Sequence, residues 1–189
     1  MEEKDLIKKL KSKDEEAFKY FVEKYKGLVY NTSISIIQNI EDADDLCQEV
    51  FVQIFKSINN FKEKSSLSTW IYRITITKSF EYIRYKKRKK RFSFLVNIFR
   101  DDGSVIDLPQ FEHPGIILER KEESKILFHA IEKLNNDQKT AYILKNIRGL
   151  NYKKISKIMK KSTSSIESLI FRAKKNLKVV LTKKLNDKK

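Results

Sequence analysis

Apolar residues recur at helical spacing along most of this 189-residue chain. In residues 5–24, Leu6, Leu10, Phe18, Phe21 and Val22 keep that spacing, and Ser12 to Asp14 predicts a break. Residues 25–38 predict a second apolar-rich helix. The clearest periodicity lies in residues 41–58, EDADDLCQEVFVQIFKSI. There Ala43, Leu46, Cys47, Val50, Ile54 and Ile58 form one stripe, which Phe51 and Phe55 widen. Asn39, three residues before Asp42, is placed to cap this helix. A polar loop, NNFKEKSSLST, follows. Residues 70–90 then predict a long helix, apolar first and cationic last, which suits the helix dipole. Residues 92–99, FSFLVNIF, are apolar but short, and two placements stay open: packed on the preceding helices or docked on a partner.

Both prolines, Pro109 and Pro114, and two of the four glycines, Gly103 and Gly115, fall within residues 101–115. That segment is too long for a routine connection and reads as a linker. It divides the chain into residues 1–91, a linker over 92–115, and residues 116–189. Beyond it, residues 116–134 suit one helix and 137–148 another, with Gly149 at the C-cap. Residues 151–178 then read as two short helices about a polar turn of Lys160, Lys161, Ser162 and Thr163. Asn151 caps the first and Ser162 the second, while Ile155, Met159, Ile166 and Leu169 point inward. The fold class is therefore all-α, with two small helical domains joined by a flexible linker. The C-terminal domain carries a helix-turn-helix, a unit whose second helix enters the DNA major groove.

Charge sharpens this picture. Residues 139–189 hold 16 Lys/Arg against two acidic residues, and Arg84 to Arg91 has seven cations in eight positions. These two regions carry +21 of a net +16, so the rest of the chain sums to −5. Two concentrated footprints suit two contacts along one polyanion better than a uniform solubilising surface. Cys47 is the single cysteine and reads as a core residue; His113 and His129 do not approach metal-site spacing with it. The sequence shows no glycine-rich phosphate loop and no paired catalytic constellation, so neither an enzyme nor a cofactor is expected. The N-terminus is charged from the start, and no run of about 18 apolar residues occurs. A soluble cytoplasmic protein without direct membrane insertion is the expectation.

Three collinear segments resemble one family. Residues 42–51, DADDLCQEVF, are similar to its D-A-x-D-L-x-Q-E-x-F helix. Residues 61–74, FKEKSSLSTWIYRI, are similar to its F-x-x-x-S-x-F-x-T-W-L-Y-R-I segment. Residues 131–177 are similar to its C-terminal region, from L-x-x-x-Q-x-x-x-x-L to R-A-K-K-x-L. The chain resembles an extracytoplasmic-function sigma factor, the smallest class of the bacterial sigma-70 family. That resemblance implies a partner in core RNA polymerase (β′ clamp and β flap), a second in promoter DNA, and admits an anti-sigma factor as a third.

Residue roles follow from the resemblance and agree with side-chain chemistry. Asp44, Asp45, Gln48 and Glu49 form a polar, mostly acidic surface, unsuited to phosphates and matching the family's polymerase-binding helix. Lys62, Lys64, Ser65, Ser66, Trp70, Arg73, Thr77, Lys78 and Arg84 match the segment that captures and melts the −10 element. Aromatic surface with nearby cations is what unpaired bases need. Trp70 reads equally as a stacking platform and as core. Ser164, Ser165, Glu167, Ser168, Arg172 and Lys175 match the −35 reader. The chain also departs from the family. Thr77 stands where Asn is frequent, Lys160 where Gly is, and Glu167 and Leu169 replace two common cations. Glu can accept from cytosine and Ser is permissive, so these changes shift base preference more than docking. A DNA-binding regulator without polymerase would explain residues 131–189 but not 61–83, and a helical adaptor with basic tails would explain neither.

Overall fold

The computed structural model describes residues 2–98 and 126–186, of which 90, 92–98 and 183–186 through the backbone alone. All regular structure among the described residues is helical. The linker expected at 101–115, and the first part of the helix expected at 116–134, lie outside them.

Short polar side chains start the helices. Helix α1 (Glu3–Lys11) buries Leu6, Ile7 and Leu10 and ends at the expected break. Asp14 opens α2 (Glu15–Ile37), its carboxylate accepting from the Ala17 amide at 2.7 Å. This helix runs unbroken through residues 24 and 25, so two expected helices are one. No helix breaker stands there: Gly27 is helical, and a Cβ at that position would make only ordinary contact with the Asn31 side chain. Asn39 caps α3 (Ile40–Ser57) as expected, accepting from the Asp42 amide at 2.8 Å. A 3-10 turn, Ile58–Asn60, leads into the loop.

Helix α4 (Leu67–Ile98) starts three residues earlier than expected and continues through most of FSFLVNIF. Its start has two caps. The Ser66 hydroxyl accepts from the Thr69 amide at 3.3 Å, and Glu3 of α1 reaches across to accept from the Leu67 amide at 3.0 Å. Beyond the linker, α5 (126–132) is followed by α6 (Asn136–Tyr142), whose last turn widens into a π-helix, Ile143–Ile147. Gly149 ends it at φ +67°, a conformation glycine adopts freely. Helix α7 (Tyr152–Met159) is capped by Asn151, and α8 (Thr163–Asn186) by Ser162, whose hydroxyl accepts from the Ser165 amide at 3.2 Å.

One core is built by α1, α2, α3 and the start of α4, around Leu6, Phe21, Leu46, Ile54, Leu67 and Ile71. Two pairs of its aromatic rings meet edge to face, Phe18 with Phe55 at 4.9 Å and Phe21 with Phe51 at 5.9 Å. Cys47 packs against this core, and burial raises its thiol pKa, as expected of a structural cysteine. Two further clusters join the halves of the chain. Tyr72 of α4 lies among Leu144, Ile155, Ile158, Ile166 and Leu169. Ile36 of α2 lies among Ile131, Leu134, Ile143 and Leu177, with Ile76, Phe80 and Ile83 of α4 against them. The two halves therefore pack directly on each other.

Candidate nucleic-acid interface

The helix-turn-helix has the expected polarity. Ile155, Ile166 and Leu169 are buried; Met159 is only partly so, and Ile158 beside it takes the deeper position. Ile170, Ala173 and Leu177 extend the buried face of α8. On the opposite face, Ser164, Glu167, Ser168, Arg172 and Lys175 are exposed, and Ser165 is half-buried at the cap. The Arg172 Nε donates back to the Ser168 carbonyl at 3.2 Å. Lys160 closes the turn at φ +52°, the left-handed region. That conformation explains why a glycine fits this position; for lysine it costs about 1 kcal/mol. Lys161 braces the turn through Asp137, 3.1 Å away.

The loop of residues 61–66 is anchored at both ends. Phe61 is buried against Trp70, with ring centroids 4.9 Å apart, and Leu67 and Thr69 are buried at the start of α4. Trp70 is thus half core and half surface. Lys62, Lys64 and Ser66 are exposed, and Ser65 is half-buried. Glu63, at φ +57°, is tied to Lys11 of α1 at 2.8 Å. The Ser66 hydroxyl is engaged with Thr69 at 2.9 Å and Ser68 at 3.2 Å, so its first duty is to cap α4.

The remaining −10 candidates do not share one surface. Arg84 is exposed on the basic stretch of α4. Thr77 is exposed beside a hollow between α4 and the C-terminal half, lined also by Arg73, Phe80, Asp137 and Met159. Arg73 turns into the C-terminal half. Its Nη2 donates to the Lys157 carbonyl at 2.5 Å and its Nε to the Ile158 carbonyl at 3.2 Å. Those carbonyls belong to the last turn of α7, where orphan acceptors and the helix dipole favour a cation. Lys78 lies on the flank facing α3 instead, lining a hollow with Asp45, Gln48 and Glu49.

Asp44, Asp45, Gln48 and Glu49 are all exposed on α3. Val52, which lies outside the apolar stripe of α3, adds an exposed apolar side chain to the same hollow, a contribution that the four polar candidates did not include. Also missed was Lys139, which reads as surface charge yet is buried in α6. Burial pushes its ammonium pKa down; Glu132 opposes that shift and Lys87 of α4 adds to it. The basic stretch of α4 and the C-terminal half therefore come within electrostatic range of each other, although their charge runs are separate in sequence.

Known proteins resemble this chain in sequence and in fold. Sigma-70 region 2 matches residues 21–89, and Sigma-70, region 4 matches residues 124–177. The RNA polymerase sigma-H factor of Pseudomonas aeruginosa is 26% identical over 177 residues, covering 92% of this chain and 90% of its own. The ECF RNA polymerase sigma-E factor of Haemophilus influenzae is 28% identical over 173 residues, covering 89% of each. Two solved structures share the fold. CnrH, in complex with the cytosolic domain of CnrY, aligns with a TM-score of 0.66 at 18% identity over 95% of this chain and 97% of its own. The sigma factor RpoE of Bartonella quintana, in complex with the anti-sigma factor NepR, aligns at 0.62 and 21% identity over 87% and 96%. Among the described residues no helix is long and apolar enough to cross a membrane. With two regions of one family matched in collinear order, and an ECF sigma factor aligned over 89% of each chain, this chain belongs to the extracytoplasmic-function class of the sigma-70 family of RNA polymerase sigma factors.

Proposed function

We propose that three surfaces divide the work of this sigma factor. The acidic face of α3, at Asp44, Asp45, Gln48 and Glu49, docks on core RNA polymerase. The loop at Lys62, Lys64, Ser65 and Ser66, with Trp70, Arg73 and Thr77, takes the unpaired −10 strand, and Arg84 tracks its phosphates. The outward face of α8 reads the −35 duplex. In this reading residues 1–91 and 116–189 are the two functional domains, the protein works in the cytoplasm, and it contributes no catalytic chemistry of its own. An anti-sigma factor fits as a further partner, since RpoE was captured with one.

The observation that carries this reading is the two-sidedness of α8: Ile166, Leu169, Ile170 and Ala173 are buried while Ser164, Ser168, Arg172 and Lys175 face solvent. Serines near the helix start can reach base edges, and the cations beyond them hold phosphates. Replacing Lys175 with Ala should therefore weaken holoenzyme binding similarly across −35 variants and reduce the salt slope by about one unit. Changes at Ser165, Glu167 or Ser168 should re-rank the variants, by about 1–3 kcal/mol per affected base pair. A −35 library measured at two salt concentrations checks both. The reverse pattern would mean that the helix docks the other way round.

The loop carries a separate expectation. Replacing Lys64 and Ser65 with Ala should impair promoter opening more than duplex binding, because unpaired bases are the loop's assigned ligand. Permanganate reactivity of −10 thymines reads opening directly. Normal reactivity in the variant would give the loop another role.

A further inference from the structure

Helix α1 carries none of the residues given to the three working surfaces, yet it meets the loop of residues 61–66 at its entrance, its middle and its exit. At the entrance it packs on the 3-10 turn Ile58–Asn60. In the middle Lys11, its last residue, holds the Glu63 carboxylate at 2.8 Å. At the exit the carboxylate of Glu3, its first residue, accepts from the Leu67 amide at 3.0 Å. The helix therefore runs antiparallel to the loop, its start at the loop's end and its end at the loop's middle. It is itself fixed, because Leu6, Ile7 and Leu10 are buried in the first core.

An exposed ion pair contributes little to stability as a rule, and the side chains of Lys11 and Glu63 are 34% and 48% exposed. Two features give this pair a local consequence. Glu63 sits at φ +57°, where a residue with a Cβ stays only when its surroundings hold it. Its carboxylate also stands between Lys62 and Lys64, the one anion in a loop whose assigned ligand is a polyanion. Paired with Lys11, that carboxylate is neutralised and ties the loop back to α1. A loop that must adopt one arrangement to seat an unpaired base binds in proportion to the time it spends there. Holding it raises affinity for the right bases and leaves the general attraction to phosphate unchanged.

We propose that α1 is a splint for the −10 loop, with Lys11 and Glu3 as positioning residues for recognition of the unpaired strand. This rests on the reading of the loop as the part that takes the −10 strand, and adds the element that keeps it in shape. Lys11 acts through Glu63, and Glu3 through the Leu67 amide; the role of each is to place the loop and not to touch DNA.

The test uses the full chain bound to core polymerase. A preferred single-stranded −10 oligonucleotide is selected from a randomised pool, and its affinity is compared with that of a strand of the same bases in scrambled order. Both strands carry the same phosphates, so a change of protein charge cancels in the ratio and a change of loop geometry does not. Lys11→Glu and Glu63→Lys should each lower the ratio about three-fold, within the range of an exposed ion pair. The double variant, which restores the pair with its charges exchanged, should recover the wild-type ratio. Glu3→Gln, which keeps an acceptor for the Leu67 amide, should retain the ratio, and Glu3→Ala should lower it. A ratio retained in either single charge variant or in Glu3→Ala, or not recovered by the exchange, overturns the assignment. Replacing Lys64 and Ser65 with Ala separates the two readings. If that variant loses discrimination while the α1 variants keep it, the splint falls and the −10 reading of the loop stands. If it too keeps discrimination, or the pool yields no preference, both fall.

Discussion

Reversing Asp45 to Lys should weaken association with core RNA polymerase by at least about 2 kcal/mol, roughly thirty-fold in Kd. The carboxylate is exposed on α3 and lines a hollow with Gln48, Glu49 and Val52. Among the described residues it makes no hydrogen bond or ion pair, so the isolated protein should keep its helicity and unfold within about 0.5 kcal/mol of wild type. The large effect comes from juxtaposition. A partner that complements an acidic face presents cations, and a lysine among them meets like charge where water is partly excluded. Lys78 and Lys56 line the same hollow, so a new lysine would also add to an existing local positive charge. Equilibrium binding of fluorescently labelled protein to core polymerase measures the first quantity, and circular dichroism during thermal unfolding the second. Unchanged affinity with normal stability would remove α3 from the interface.

Replacing Tyr72 with Ala should loosen the contact between the two halves by about 3 kcal/mol or more, the usual cost of truncating a buried aromatic. The ring is 4% exposed, among Leu144, Ile155, Ile158 and Leu169 of the other half. Amide hydrogen exchange across α7 and around residue 72 should quicken, and small-angle scattering should report a larger radius. Arg73→Ala provides the milder comparison, because it removes two hydrogen bonds to α7 carbonyls but no buried apolar area. Its effect should point the same way and be smaller. Unaltered protection across α7 in Tyr72→Ala would mean that the halves are held elsewhere, at Ile36 or Gln38. This contact also bears on promoter binding. With its Nε and one Nη2 hydrogen given to the carbonyls of Ile158 and Lys157, the guanidinium has one two-pronged edge occupied, so gripping a phosphate through that edge would release them. If Arg73 serves the −10 strand, adding single-stranded promoter DNA should lower protection across α7 in the wild-type protein too.

Local signals in this sequence were legible because their causes lie within a few residues. Asn39, Asn151 and Ser162 each accept from an amide three positions on, and Gly149 answers to its own φ. The break at Ser12 to Asp14, the stripe of α3 and the two-sided α8 follow from side-chain order alone. The first two motifs of the family were legible for the same reason: residues 42–51 lie on one helix, and 61–74 on one loop and the helix it leads into. Helix lengths were less so. Joining residues 24 and 25 in one helix, and carrying α4 on to Ile98, depends on continuity that no local stop signal opposes.

Tertiary structure alone decided what covers each apolar face. Periodicity shows that Tyr72, Ile76, Phe80 and Ile83 lie along α4, but not which surface meets them. The structure supplies the C-terminal half, through Ile155, Ile131 and Leu177. Arg73 finds its acceptors 84 and 85 residues away, and the Gln38 amide finds the Phe128 carbonyl 90 residues on. Glu3 caps a helix that starts at Leu67, and Lys139 is buried although its type is usually solvated. Each of these is a meeting of distant segments, set by shape and by the need of buried polar groups for partners. Neither composition nor spacing encodes such a meeting locally.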